Sequence, residues 1–118
     1  MENRRRAERQ DAVWMGSCRF ADEPPDAWRD CGVFDFSELG AGVDLRYPDS
    51  ANLVRRRLSV RLPVGASMDI VLTGEVRNTK PGPDGIVRLG VEFVGLSESE
   101  RSIVDLLERV GVWRPKGA

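Results

Sequence analysis

Residues 68–77, MDIVLTGEVR, and residues 86–94, IVRLGVEFV, flank the segment TKPGPDG at 79–85. Two apolar runs joined by a Pro/Gly-rich stretch read as a β-hairpin. In the second run Val87, Leu89, Val91 and Phe93 fall on one face, with a period of two. The same period extends upstream. In RRLSVRL, residues 56–62, Leu58, Val60 and Leu62 alternate with Arg57, Ser59 and Arg61. That is a half-buried strand with a basic outer face, broken by Pro63 and Gly65. Before it, Pro48, Asp49, Ser50 and Asn52 mark a loop over 46–53. Further upstream, DCGVFDFS at 30–37 is expected to place Cys31, Val33 and Asp35 on one face and Phe34 and Phe36 on the other. ELGAGVDL then turns at Gly40 into a strand ending near Leu45. DAVWMGSCRF at 11–20 supplies the first strand, followed by an acidic, Pro-rich turn, DEPPDA, at 22–27.

The C-terminal element has a different period. Ser97-Glu98-Ser99-Glu100 is a capping-box pattern, with Ser97 as N-cap and Glu100 at N3. Ile103, Val104, Leu106, Leu107 and Val110 then recur at helical spacing, and Gly111 stands where a C-cap belongs. About six short strands followed by one amphipathic helix, without βαβ alternation, exclude a doubly wound nucleotide fold. The expected fold is all-β with a C-terminal helix: a six-stranded antiparallel barrel, with the helix docked on an opening or edge. Residues 1–10 read as an Arg-rich flexible arm, 11–111 as the barrel domain with its helix at about 98–110, and 112–118 as a tail.

The whole chain has 118 residues, 41% hydrophobic and 31% charged. About two-thirds of its surface can be buried, enough for one core without metal or disulfide support. It contains no histidine, which removes the commonest general base and metal ligand. Its two cysteines, Cys18 and Cys31, cannot supply a zinc site and read as small apolar fillers. No nucleophile–base pair can be proposed, so no enzyme is expected. No apolar run is long enough to span a bilayer, and the charged first nine residues do not resemble a secretory signal. A cytoplasmic protein without membrane insertion is the expectation.

The net charge is −1, but the signs are segregated. Residues 21–50 carry eight acidic groups against two basic; residues 51–80 carry six basic against two acidic. This pattern suits a compact anion of few charges better than DNA or RNA, whose partners are strongly basic.

Two local patterns occur in order. The first is Arg4-Arg5-Arg6-Ala7-Glu8-Arg9, containing Arg5-x-x-x-Arg9. The second, roughly one hairpin later, is Asp35-Phe36-Ser37-Glu38-Leu39-Gly40, a D-x-S-x-x-G. Taken singly, the first is a solvated tail and the second an Asx or Ser turn. Together they resemble the paired signature of the PilZ domain family, RxxxR followed by (D/N)xSxxG. Leu89-Gly90-Val91-Glu92-Phe93 is similar to that family's late strand. The resemblance covers about residues 4 to 110.

The resemblance implies a six-stranded barrel that receives cyclic di-GMP, with no other cofactor. It assigns Arg4, Arg5 and Arg9 to phosphates and base edges, Asp35 and Ser37 to guanine, and Gly40 to the shape of the loop. Arg77 takes the family's site for a base-stacking residue. The chemistry agrees. A planar guanidinium matches phosphate oxygens and the guanine O6/N7 edge, and can stack on a base. A carboxylate such as Asp35 accepts from guanine N–H donors. Glycine at position 40 allows positive φ and close backbone approach. Two departures stand against this: the acidic insert DEPPDAWRD near the site in sequence, and Glu8 inside the arginine motif.

The function expected is therefore a cyclic di-GMP effector, whose arm orders over the barrel on binding and so changes a contact with a downstream protein. The alternative is a ligand-independent adaptor acting through protein contacts alone. A single-stranded RNA-binding barrel is disfavoured by only eight aromatic residues and a slightly acidic charge.

Overall fold

Alternation decides which side chains of each strand meet inside, and the computed structural model, which describes residues 14–47 and 52–110, follows it closely. The strands are β1 (Trp14–Phe20), β2 (Arg29–Phe36), β3 (Gly40–Arg46), β4 (Arg57–Pro63), β5 (Asp69–Pro81) and β6 (Ile86–Phe93), followed by helix α1 (Glu98–Val110). All neighbours are antiparallel, and the order β1-β2-β3-β6-β5-β4 closes on itself through β4–β1 pairing. The expected six-stranded barrel with a C-terminal helix is the observed fold. Among the described residues no helix is long and apolar enough to cross a membrane.

The interior is filled by one inward set. Phe20, Val33, Val43, Leu58, Val60, Leu62, Leu72, Val76 and Leu89 are all essentially solvent-free. Each such side chain contributes roughly 1.5–3 kcal/mol relative to exposure. Cys18 and Cys31 sit in this core as free thiols, with sulfurs 2.9 Å apart. The helix contributes Val104 and Leu107, both buried. Its start is the expected capping box: the Ser97 N–H donates to Glu100 Oε1 (2.8 Å), and the Glu100 N–H donates to Ser97 Oγ (3.1 Å). Gly111 and the arm and tail calls at 1–10 and 112–118 lie outside the described residues.

Three expectations require correction. Asp35 does not share a face with Cys31 and Val33. The pairing steps from Val33↔Val43 to Asp35↔Gly42, so Phe34 is an extra residue in a β-bulge. The slip turns Phe36 into the core and leaves Asp35 exposed. The segment 79–85 is not all loop. β5 continues through Thr79, Lys80 and Pro81, and the reversal is confined to a short turn in which Asp84 and Gly85 take positive φ. Gly40 does not take positive φ either. It is extended in β3, and a Cβ there would lie 2.0 Å from the Val91 carbonyl oxygen, so the neighbouring strand demands glycine.

The basic segment at 55–61 also divides. Arg57 is exposed, as expected of an outer face. Arg56 instead lies over the Phe20 ring (4.3 Å), and donates to Tyr47 and Asp22. Arg61 stacks on Trp28 (4.1 Å), which is therefore part of an outer stack and not of the core.

In the acidic turn between β1 and β2, one carboxylate is matched locally. Arg29 grips Glu23 through two hydrogen bonds of 2.9 Å, and the Phe20 N–H donates to the same carboxylate. Arg29 holds the Glu23 carboxyl below its ordinary pKa. A depressed carboxyl stabilises the fold above the ordinary carboxylate range and loses that contribution as pH falls through it. Glu23→Gln is expected to cost roughly 1–2 kcal/mol at neutral pH and to flatten the acid limb of a stability–pH curve measured by urea unfolding. At the other extreme, the hydrogen bond to Cys31 and then burial push the Cys18 thiol far up. The folded thiol stays neutral while the unfolded one ionises near pH 8.5, so stability falls above that pH. Both thiols are buried, and labelling by iodoacetamide is expected to proceed only at the rate of unfolding.

Candidate functional site

The outer face of β2, β3, β6 and β5 is built from three cross-strand rows. One row is Gly40–Glu92–Glu75, the next Asp35–Gly42–Gly90–Asn78, the third Asp44–Arg88–Lys80. Successive rows are two residues apart, about 7 Å along the strands. The middle row has no side chains at its two central positions. That gap forms the floor of an open depression of about 470 Å³, lined by residues of all three rows.

Two bulges shape its walls. Phe34 is the extra residue in β2, and Arg77 is the extra residue in β5, where pairing steps from Val76↔Val91 to Asn78↔Gly90. Both glycines lie under a neighbouring side chain that a Cβ would displace. A Cβ on Gly42 would lie 2.4 Å from the Phe34 ring, and one on Gly90 would lie 2.7 Å from the Asn78 amide.

The rows differ in charge. Glu75 and Glu92 face each other across β5 and β6, a repulsive pairing on its own. Arg77 bridges them, in an ion pair with Glu92 and 3.9 Å from Glu75. At the opposite side Arg88 is held by Asp44 through Nε and Nη2 at 2.8 and 2.9 Å. Its guanidinium lies 3.9 Å above the centre of the Phe34 ring. The Asp44 carboxylate raises the pKa of Arg88 further, against a smaller opposing effect of burial.

The depression ends at the turn joining β2 to β3. The Ser37 N–H donates to the Gly40 carbonyl (2.9 Å), and Ser37 Oγ accepts from the Leu39 N–H (3.1 Å). Leu39 is 72% exposed at the rim. The Glu38 N–H donates to Glu108 of α1 (3.0 Å), and the Leu39 carbonyl accepts from the Phe93 N–H (2.9 Å). The turn is thus tied to the helix and to β6.

Of the residues singled out from sequence, Asp35, Ser37, Gly40 and Arg77 all line this depression. Arg4, Arg5 and Arg9 lie outside the described residues. Arg77 does not end its strand, as the run at 68–77 implies, but bulges from within β5. The acidic insert, expected near the site, joins the opposite ends of β1 and β2 and does not line the depression. Phe34, Asp44, Asn78, Lys80, Arg88 and Glu92 were not anticipated. Glycines at 42 and 90 inside strand patterns were the available signal, since such glycines mark bulges or close approach. Among the described residues no group of three or more Cys, Asp or Glu gathers as metal ligands.

The family model described as PilZ domain matches residues 3–109. Among solved structures the fold is similar to "PilZ domain with c-di-GMP of YcgR from Escherichia coli", with a TM-score of 0.59 and 18% identity, covering 84% of each chain. A search of curated proteins gives no match. With the family model spanning nearly the whole sequence, the chain belongs to the PilZ domain family.

Proposed function

We propose that this PilZ domain is a cyclic di-GMP receptor that binds its ligand in the depression over β2, β3, β6 and β5. One observation carries the reading. Asp35, Ser37 and Gly40 of the second motif, and Arg77, which stands 42 residues after Asp35 in the chain, line a single depression. Support comes from the family and from the YcgR domain, whose structure is described with c-di-GMP.

The chemistry of each part fits. The exposed Asp35 carboxylate accepts from guanine N–H groups. Ser37 presents a hydroxyl at the rim, in a turn fixed by its own hydrogen bonds. Arg77, once parted from Glu92, offers a flat cation to a base. The length of chain between the arginine motif and β1 is consistent with contact at the site. β1 begins at Trp14, whose indole packs on Phe36 (5.5 Å), next to the turn that carries Ser37. Arg9 precedes Trp14 by five residues, a reach of up to about 17 Å.

In this reading Arg4, Arg5 and Arg9 close over the phosphates as the N-terminal segment orders. The ordering costs conformational entropy, which charge-assisted contacts offset. The closed segment and the bound ligand then form a new surface for a downstream protein, a disorder-to-order switch.

Titration calorimetry with cyclic di-GMP tests the site. Arg5→Ala and Arg9→Ala are each expected to weaken binding about ten-fold or more, from the roughly 1.5–3 kcal/mol of a charged hydrogen bond; unchanged affinity in both rejects the assignment. Raising ionic strength should weaken wild-type binding, because phosphate contacts are screened. A salt-independent affinity would argue against phosphate clamping. No binding at all returns the domain to the ligand-independent adaptor.

A further inference from the structure

We infer that Arg88, seated on Phe34 and pinned by Asp44, is a stacking shelf for a purine base of the bound cyclic dinucleotide. The inference rests on the receptor reading above and adds to it a residue outside both sequence motifs.

The bulge at Phe34 is the starting point. It turns the ring outward, onto the bare backbone of Gly42. The ring gives Arg88 a flat seat at 3.9 Å. Asp44 takes Nε and Nη2 edge-on and so fixes the plane of the guanidinium. The side chain of Arg88 nevertheless remains 48% exposed in the depression. One face is on the ring and one edge is on the carboxylate; the other face is open to a ligand. Among the described residues Nη1 has no hydrogen-bond partner.

The same geometry decides what that face receives. A phosphate would meet a charge that Asp44 already balances, and would have only the end-on N–H pair left to it. A planar, weakly hydrated guanidinium stacks well on an aromatic base, and a base makes no demand on the occupied edge. Free Nη1 lies in the same plane, suited to an acceptor on the base or its sugar. The location fits a ligand with two bases. Arg88 and the Gly40 position lie four residues apart along neighbouring strands, about 13 Å, with the glycine floor between. A molecule anchored at Asp35 and Ser37 by one guanine can lay its other base, or that of a second stacked molecule, on Arg88.

The test is calorimetric titration of the full chain with cyclic di-GMP, using wild type, Arg88→Lys, Arg88→Met and Phe34→Leu, each first checked for an unchanged folded NMR spectrum. Stacking of one base is worth roughly 1–3 kcal/mol, so both Arg88 variants should lose about ten-fold in affinity. Arg88→Lys keeps the charge and loses the plane, and should fare no better than Arg88→Met. Phe34→Leu removes the seat and should weaken binding in the same direction. The salt dependence of binding should stay that of wild type in all three. Wild-type affinity in Arg88→Lys, or a shallower salt dependence in Arg88→Met, overturns the shelf and leaves the receptor standing. Wild-type protein that ignores the ligand overturns both. If the Arg88 variants do not fold, unchanged affinity in Phe34→Leu overturns the shelf by itself.

Discussion

Closing six strands into a small barrel commits every second side chain to the interior, and the binding face has to be made from what is left. Strict alternation from an inward Val33 would put Asp35 inside and Phe36 outside. One inserted residue removes the conflict. The bulge at Phe34 lets Val33 and Phe36 both point inward while Asp35 points out. A second bulge, at Arg77, does the same for β5. Between them lie Gly42 and Gly90, paired with each other and crossed by Phe34 and Asn78. The depression, its floor and its two walls all follow from this arrangement.

Electrostatics then grade the surface without leaving a bare charge cluster. Glu75 and Glu92 are bridged by Arg77 at one side, and Arg88 is matched by Asp44 at the other. Exposed pairs of this kind contribute little to stability. Their weight lies in orientation. Asp44 holds the Arg88 guanidinium in a defined plane, whereas Arg77 can exchange Glu92 for a ligand at small cost. Of the acids that outnumber bases in residues 21–50, Glu23 is engaged by Arg29 and Asp22 by Arg56 at the other end of the barrel, away from this surface.

Much of this was legible in the residues. Leu58, Val60 and Leu62, and likewise Val87, Leu89 and Val91, alternate without interruption, and those strands lie where the pattern puts them. The capping box at Ser97 and Glu100 located the helix to the residue. What alternation cannot report is a change in its own phase. The bulge at Phe34 inverts the faces of Asp35 and Phe36, and nothing in the order Val33-Phe34-Asp35-Phe36 marks the slip. The length of β5 was hidden for a related reason. Pro81 ends a ladder without breaking it, because its missing N–H falls at the last pair, opposite Val87. Of the site, the motif residues were readable, whereas Phe34, Asp44 and Arg88 depend on cross-strand register, which a single strand does not encode.

Closure has one more effect, on how the barrel can be recognised. Among the described residues each of the six strands is flanked on both sides, so the barrel has no free edge strand. A visiting peptide therefore cannot add itself as a seventh strand. Recognition must run through outward side chains and helix surface, where selectivity is written in amino-acid identity and not in generic backbone pairing.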